Sequence, residues 1–352
     1  MPLAVTKLSG SLELDRRFSV APMLTWTDRH ERYLLRLISK RILLYTEMIT
    51  TGALLHGDAV RYLEMHASEH PVAIQLGGSD PEEMASCARL AAERGYDEIN
   101  INVGCPSNRV QSGRFGACLM AEPEVVANCV AAMRAAVDIE VTVKTRIGID
   151  DRDSYQELSS FISYVGAAGC RVFIVHARKA WLKGLSPSQN RNIPPLDYAT
   201  VYRLKQDFPQ YLWIINGGVV DFERAEKHLL QVDGVMLGRA VYHNPYILAG
   251  LDQRYYASTQ PQTTRHQILE QYIQYAERQL DKGIPLTRLT NHLLGLFHGV
   301  PGAKGWRRHL SEYAHKPDAG IDTIWQAYAH VSSAESPPAN QLLEDKLAAE
   351  PI

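Results

Sequence analysis

The chain has 352 residues, 37 Lys and Arg against 39 Asp and Glu, and a formal net charge of −2. That balance excludes a global electrostatic pull toward nucleic acid or membrane, so any such binding must come from local patches. Apolar residues make up 45%, enough for a sizeable core, while five cysteines, an odd count without CxxC spacing, argue against a disulfide framework or a zinc site. No metal is expected. The first residues carry no long apolar segment, and no run approaches the roughly eighteen apolar residues of a membrane span. A soluble cytoplasmic protein is expected, with no membrane role and no evident obligate protein partner.

In chain order, eight short β-branched runs recur, each followed by a loop and a helical stretch: RFSVAP (17–22), ILLYTEM (42–48), PVAIQLG (71–77), DEININV (97–103), EVTVKTR (140–146), RVFIVHA (171–177), YLWIING (211–217) and DGVMLG (233–238). Several are apolar at nearly every position, as strands buried on both faces should be. Among the helices, Asp80 fits an N-cap, Pro81 fits N1, Glu83 would complete a capping box, and Gly95 ends the element. EPEVVANCVAAMRAAV and SYQELSSFISYVGAAG read the same way. The alternation predicts an α/β fold, a (β/α)8 TIM barrel over 1–249. An open doubly wound sheet is the alternative, but no GxGxxG follows the first strand.

Near residue 250 the character changes. LDQRYYASTQPQTT is polar and turn-rich, as a linker would be. RHQILEQYIQYAERQL, LTRLTNHLLGLF, GAKGWRRHLSEYAHK and IDTIWQAYAHVS follow without strands and predict a small C-terminal helical domain over 250–332. Residues 333–352, rich in Ala, Glu, Ser and Pro, read as a flexible tail.

Barrel enzymes carry their chemistry at the C-terminal ends of the strands. Those ends hold Ala21-Pro22-Met23, Gln75, Asn102 with Cys105, Lys144-Thr145-Arg146, His176-Ala177-Arg178, Asn216-Gly217-Gly218 and Gly238-Arg239. Glycines after the last two strands let backbone N–H groups approach a phosphate, and Arg239 adds a charged fork of donors. The ligand could be FMN, pyridoxal phosphate or a phosphorylated substrate. Lys144 would be the covalent lysine of a pyridoxal enzyme or Schiff-base aldolase, or a cation beside a flavin ring. Gln75 offers a donor and an acceptor to a ring edge, His176 could donate nearby, and Pro22-Met23-Leu24 supplies an apolar wall. The mix favours a flat heterocycle over a sugar phosphate.

Cys105 lies in NVGCPSNRVQSGRFGACLM. A metal role lacks partners at ligand spacing. A nucleophile would want an adjacent base, and this loop contains no histidine. An ordinary thiol, with a pKa of roughly 8.5, is mostly protonated at neutral pH and can serve as a general acid beside a flavin. Cys87, Cys118 and Cys129 read as packed core residues.

These residues carry a resemblance. NVGCPSNRVQSGRFGACLM, APMLTWTDRH, LYTEMITTGALLHGD, PVAIQLGGSDPEE, VTVKTRIGIDD, HARKAWLKGLSPSQNRNIPPL, INGG and GVMLGRA together resemble the tRNA-dihydrouridine synthases over about 17–330, with TEMITTGALLHGD and HARKAWLKGLSP pointing to the A-type branch. The resemblance implies an FMN-containing TIM barrel with a helical domain. Such enzymes use NADPH to reduce uridine in tRNA to 5,6-dihydrouridine, in this branch at D-loop positions 20 and 20a. It places the flavin ring against Pro22, Met23, Leu24, Gln75, Lys144 and His176, and the FMN phosphate against Asn216, Gly217, Gly218, Gly238 and Arg239. Hydride passes from reduced FMN to uracil C6, and Cys105 protonates C5. Asn102 is expected at the target nucleotide, and Arg178, Ser188, Arg191, Lys304 and Arg307 at or beside tRNA contacts.

Charge patterning agrees. Residues 171–191 hold Arg171, Arg178, Lys179, Lys183 and Arg191 without an acidic residue, and 301–311 hold Lys304, Arg307 and Arg308, again without one. Trp181 and Trp306 could stack bases or fill a core. The chain departs from the family pattern at Thr25, where Asp is common, at Ser188, where Lys is usual, and at Lys304, where Arg is common. The remaining readings are a flavin barrel that reduces a small enone, and a non-catalytic RNA-binding barrel.

Overall fold

In the computed structural model, which describes residues 14–335, eight parallel strands form one sheet. They are β1 (Phe18–Val20), β2 (Leu44–Thr50), β3 (Val72–Gly77), β4 (Glu98–Val103), β5 (Glu140–Arg146), β6 (Val172–His176), β7 (Leu212–Asn216) and β8 (Gly234–Leu237). The order runs β1-β8-β7-β6-β5-β4-β3-β2. A parallel bridge between Ser19 and Leu43, with Val20 N–H donating to Leu43 O at 2.9 Å, brings β1 to the start of β2 and closes the ring. The TIM barrel read from the alternation is the fold, and each of the eight apolar runs contains a strand.

Helices α1 (Arg29–Ile38), α2 (Pro81–Arg94), α3 (Pro123–Ala136), α4 (Tyr155–Ala167), α5 (Tyr198–Asp207) and α6 (Phe222–Leu229) wrap the barrel. Asp80 caps α2 by accepting from Glu82 N–H at 3.0 Å and Glu83 N–H at 2.9 Å, and Gly95 ends it with φ 94°. The capping box expected from Glu83 does not close. Its carboxylate instead accepts from the Thr51 hydroxyl at 2.8 Å, a partner brought in from the end of β2. Between strand faces and outer helices lies the main apolar core, while Ala21, Leu43, Tyr45, Ala73, Val172, Ile174, Ile214 and Met236 form a separate cluster inside the barrel.

Past the barrel come α7 (Arg265–Leu280), α8 (Leu286–Leu293), α9 (Ala303–Tyr313) and α10 (Ile321–Glu335). Thr264 and Gln267 build the capping box of α7. The stretch read as a linker is docked, not free: Leu251–Tyr255 is a short helix, and Asp252 accepts from Ser39 Oγ at 2.5 Å and from Lys40 N–H at 2.6 Å. Both α7 and α8 pack against α1. Trp306 is fully buried and donates its indole N–H to Leu293 O at 3.0 Å, so it is a core residue and not a base-stacking surface. Residues 333–335 continue α10, and the rest of the stretch read as a tail lies outside the described residues. No helix among the described residues is long and apolar enough to cross a membrane.

Candidate active site at the barrel mouth

Period-two alternation puts Glu98, Asn100 and Asn102 of β4 on one face, and Thr142, Lys144 and Arg146 of β5 beside them. At the top of β4 the chain turns sharply. Asn102 Oδ1 accepts from Gly104 N–H at 3.1 Å and Cys105 N–H at 3.0 Å, an Asx-type turn that sets the cysteine loop. Ala117 N–H donates to Cys105 O at 2.9 Å from below. The Cys105 thiol is half-buried, with Ser107 Oγ at 3.7 Å. Burial first, then nearby carboxylates, pushes the Cys87 thiol up to about 11 and the Cys129 thiol up to about 12, and burial does the same to Cys170. Cys118, read as core, is half-buried instead and donates to Phe115 O at 3.2 Å.

Lys144 Nζ donates to Asn216 Oδ1 at 3.1 Å, and Asn216 Nδ2 donates to Met236 O at 2.8 Å. These bonds tie β5, β7 and β8 together across the mouth. Burial, reinforced by the Arg146 charge and opposed by Cys105, lowers Lys144 to about 7. His176 is held well below its ordinary value by burial and then by Arg146, Lys144, Arg178 and Arg239, so it is neutral at physiological pH. Gly217 and Gly218 have φ values of 109° and 73°, a backbone only glycine takes without strain. Side chains there would also collide: a Cβ on Gly217 would lie 2.7 Å from His176 Cδ2, and one on Gly218 would lie 2.5 Å from Tyr198 Oη. Gly238 leaves open space, with only Ala21 Cβ near, at 3.9 Å.

Arg239 Nη2 donates to Asn192 Oδ1 at 2.8 Å, and Arg178 Nη1 donates to the carbonyls of Pro194 and Asn192. Arg178 Nε is buried without a partner. Burial and the mutual repulsion of these guanidinium groups lower Arg178 and Arg191 from their usual range. Among the described residues no carboxylate forms an ion pair with Arg178, Arg191 or Arg239. Pro22 and Met23 are half-buried, Met23 lies against the inner barrel cluster, and the Leu24 side chain is 69% exposed.

The sequence-picked residues therefore fall into two groups. Gln75, Asn102, Cys105, Lys144, His176, Asn216, Gly217 and Gly218 are linked by direct contacts or adjacent strand ends, and Arg178, Arg191 and Arg239 couple to them electrostatically. Ser188 is exposed at the start of the turn Gln189–Arg191. Lys304 and Arg307 sit exposed on α9. Lys179 is not free: its ammonium donates to Asp153 Oδ2 at 2.6 Å and sits 4.4 Å from the Trp181 ring.

Sequence reading placed Arg146 at a strand end without giving it a role, and passed over Asn190. Buried Arg146 donates from Nε to Gly104 O at 2.8 Å and from Nη1 to Asn190 O at 3.1 Å and Lys179 O at 3.2 Å, which clamps the cysteine loop to the loop after β6. Asn190 organises that second loop by accepting from Trp181 N–H at 2.8 Å and donating to Trp181 O at 2.9 Å. The signal available for Arg146 was its parity with Lys144 on β5.

A barrel with a polar, cationic mouth and a lone placed thiol defines a class of enzyme, and the comparisons give the family. The dihydrouridine synthase (Dus) family profile matches residues 19–331, and the chain belongs to that family. The chain is 59% identical over 326 residues to the tRNA-dihydrouridine(20/20a) synthase of Shewanella oneidensis, covering 93% of this chain and 97% of that one. It is 60% identical over 316 residues to the protein of the same name from Vibrio vulnificus, covering 90% and 97%. The Escherichia coli K12 protein of that name is 58% identical over 312 residues, covering 88% and 90%. Among solved structures, a 2-naphthoyl-CoA reductase complex shares the fold at a TM-score of 0.54 and 11% identity, covering 68% of this chain and 50% of that chain. Among the described residues no group of three or more His, Cys, Asp or Glu is placed to hold a metal ion.

Proposed function

We propose that this chain reduces uridine to 5,6-dihydrouridine in the tRNA D-loop, at positions 20 and 20a, with bound FMN and with NADPH as reductant. The names of relatives 58–60% identical support the RNA substrate and the positions. The observation that carries the chemistry is Cys105: a half-exposed thiol anchored by Asn102, electrostatically coupled to Lys144, Arg146 and Arg191.

The residues present fit FMN. A buried, unpartnered Arg178 Nε, two left-handed glycines and three guanidinium groups without carboxylates suit a phosphate. In this reading Asn216, Gly217, Gly218, Gly238 and Arg239 hold the phosphate, and Pro22, Met23, Leu24, Gln75, Lys144 and His176 hold the ring. When bound and reduced, FMN supplies hydride to uracil C6. The Cys105 thiol would give its proton to C5, the other carbon of the same double bond. Lys144, at about 7 without a ligand, becomes a full cation beside any negative charge. Neutral His176 keeps one donor and one acceptor nitrogen for the ring edge.

The target base must leave its stack to enter the mouth. Asn102 would meet it, while Arg178, Ser188, Arg191, Lys304 and Arg307 would hold the RNA backbone. Residues 1–249 then form the catalytic domain and 250–332 the tRNA-binding domain. The test is an absorbance spectrum of the purified protein, followed by anaerobic reduction and addition of uridine-containing tRNA. A flavin spectrum that bleaches and then recovers with tRNA, leaving dihydrouridine in the D-loop, is expected. A colourless protein would overturn the cofactor, and a flavin reoxidised by small enones but not by tRNA would overturn the substrate.

A further inference from the structure

Inside the barrel, beneath the mouth, buried polar side chains form one continuous chain. Asn102 Nδ2 lies 2.7 Å from Gln75 Oε1, and Gln75 Nε2 lies 2.7 Å from Asn100 Oδ1. Asn100 Nδ2 lies 2.9 Å from Thr142 Oγ1, which lies 2.8 Å from Glu98 Oε1. Tyr45 Oη also donates to Glu98 Oε1, and Arg16 Nε meets Glu98 Oε2 at 2.8 Å. Glu98, Asn100, Thr142, Gln75 and Tyr45 are all buried.

An amide's oxygen and nitrogen have nearly the same shape, so packing alone leaves its direction open. Here the two ends of the chain decide it. At the bottom, Glu98 as a carboxylate paired with Arg16 can only accept. Thr142 must therefore donate to it and accept from Asn100 Nδ2. That turns Asn100 Oδ1 toward Gln75 Nε2, and Gln75 Oε1 toward Asn102 Nδ2. At the top, Gly104 and Cys105 N–H can only donate, and they require Asn102 Oδ1. Both ends demand the same direction. Burial and the Glu98 charge raise Tyr45 well above its ordinary value, so its hydroxyl stays a donor.

We propose that Glu98, Thr142 and Asn100 are positioning residues: they impose one donor-to-acceptor direction on this chain, so that Gln75 and Asn102 each keep one amide N–H for a ligand and Asn102 Oδ1 stays committed to the Cys105 loop. The mouth then presents a pair of N–H donors, which select an acceptor edge, a carbonyl oxygen or an unprotonated ring nitrogen. This assignment rests on the reading of Gln75 and Asn102 as flavin and nucleotide contacts. Removing the Thr142 hydroxyl takes away the lower of the two constraints, so the direction rests on the Gly104 and Cys105 N–H groups alone. The wrong direction, in which Asn102 Nδ2 faces those two donors, becomes easier to reach.

Thr142→Val, nearly isosteric, and Thr142→Ser, which keeps the hydroxyl, test it. Hydrogen exchange of the Gly104 and Cys105 amides should speed up by about 5- to 10-fold in Thr142→Val, the scale of one modest hydrogen bond, and stay at the wild-type rate in Thr142→Ser. FMN affinity of the apoprotein should fall by a similar factor in the valine variant alone. Unchanged exchange in Thr142→Val, or equal loss in both variants, would overturn the proposal. If the valine variant does not fold, neutron diffraction of the wild-type protein decides. Deuterium on Thr142 Oγ1 pointing to Glu98, with two deuteriums on Asn100 at the atom facing Thr142, is expected, and the reverse overturns it. Exchange and neutron readouts need no flavin. A wild-type protein that binds no FMN would therefore sink the cofactor reading while the chain's direction is still decided.

Discussion

At the barrel mouth, Arg178, Arg191 and Arg239 lie together, and none of them pairs with a carboxylate among the described residues. At the junction of α1 with α7 and α8, charge is also concentrated, but there Arg29, Arg32 and His292 each have a carboxylate. Arg32 Nε meets Glu69 at 2.6 Å, Arg29 pairs with Glu64, and His292 bridges Asp28 at 3.1 Å and Glu31 at 3.3 Å. Burial works against a charged imidazole there, but the two carboxylates outweigh it and push His292 up to about 10. Asp28 also caps α1, accepting from His30 N–H at 2.9 Å and Glu31 N–H at 3.1 Å. Matched buried charge holds two parts of a fold in register, whereas unmatched charge at a mouth is stable only if an anion shares it. Lack of a carboxylate alone does not mark a ligand site. Arg36 also has none, yet it spends its donors on the carbonyls of Ser39, Ile42, Glu69 and Pro71. What separates the mouth is several guanidinium groups around left-handed glycines and one buried Nε with no acceptor.

Substitutions should separate the two regions. Cys105→Ala should cut turnover on tRNA by about 10²–10⁴, the usual loss of a general acid, while urea unfolding is unchanged. Reduced-flavin reoxidation at the wild-type rate would remove the thiol from the reaction. His292→Leu should do the opposite. Leaving Asp28 and Glu31 facing each other unpaired should cost about 3–5 kcal/mol of stability. Its pH dependence has a definite sign. His292 is raised from 6.5 to about 10, and the Asp28 carboxyl is held below the usual carboxylate range, so their pairing is full below 6.5 and is lost as pH rises through about 10. Burial raises Glu31 to about 7, and that carboxylate joins the pairing only as pH rises past it. The stability gap between wild type and variant should therefore narrow as pH rises through about 10, and a gap that widens there would refute the pairing.

Smaller effects belong to the mouth and α9. Arg239→Ala should weaken FMN retention by roughly 10- to 100-fold, the scale of a charged hydrogen bond, measured after dialysis. Full flavin loading would reassign the phosphate site. Lys304→Ala and Arg307→Ala should each weaken tRNA binding and lower its salt slope by up to about 1, without changing flavin loading.

Parts of this division were legible in the sequence and parts were not. The eight strands could be read because parallel strands covered on both faces are continuous apolar runs, and the site followed because barrel strand ends converge on one mouth. Asp28, Glu31 and His292 gave no signal, since nothing local tells a histidine late in the chain that it will dock on an N-cap near the start. The missing capping box has the same origin: Glu83 is claimed by Thr51, a tertiary competitor invisible to a local pattern. The inner chain was half legible, because the alternation in DEININV puts Glu98, Asn100 and Asn102 on one face, but its direction needs Arg16 and Thr142 in place.

Thr25 is where a sequence departure meets a conformational one. Its φ is 65°, in the left-handed region that a β-branched residue occupies only under strain, and its N–H donates to Glu47 Oε1. The side chain is exposed, so little packing is lost on replacement. Asn tolerates this backbone, and Thr25→Asn should stabilise the protein by about 1 kcal/mol. Asp has the same conformational advantage but adds a carboxylate beside Glu47. Burial and then the Asp28 charge already raise Glu47, with the Thr25 N–H opposing them. Thr25→Asp should therefore gain less than Thr25→Asn at neutral pH and approach it as pH falls and the carboxyls protonate. Urea unfolding of the two variants at neutral and acidic pH checks this. An aspartate variant more stable than the asparagine one at neutral pH would mean that a cation of the mouth reaches this loop, and the boundary between matched and unmatched charge would have to be redrawn to include it.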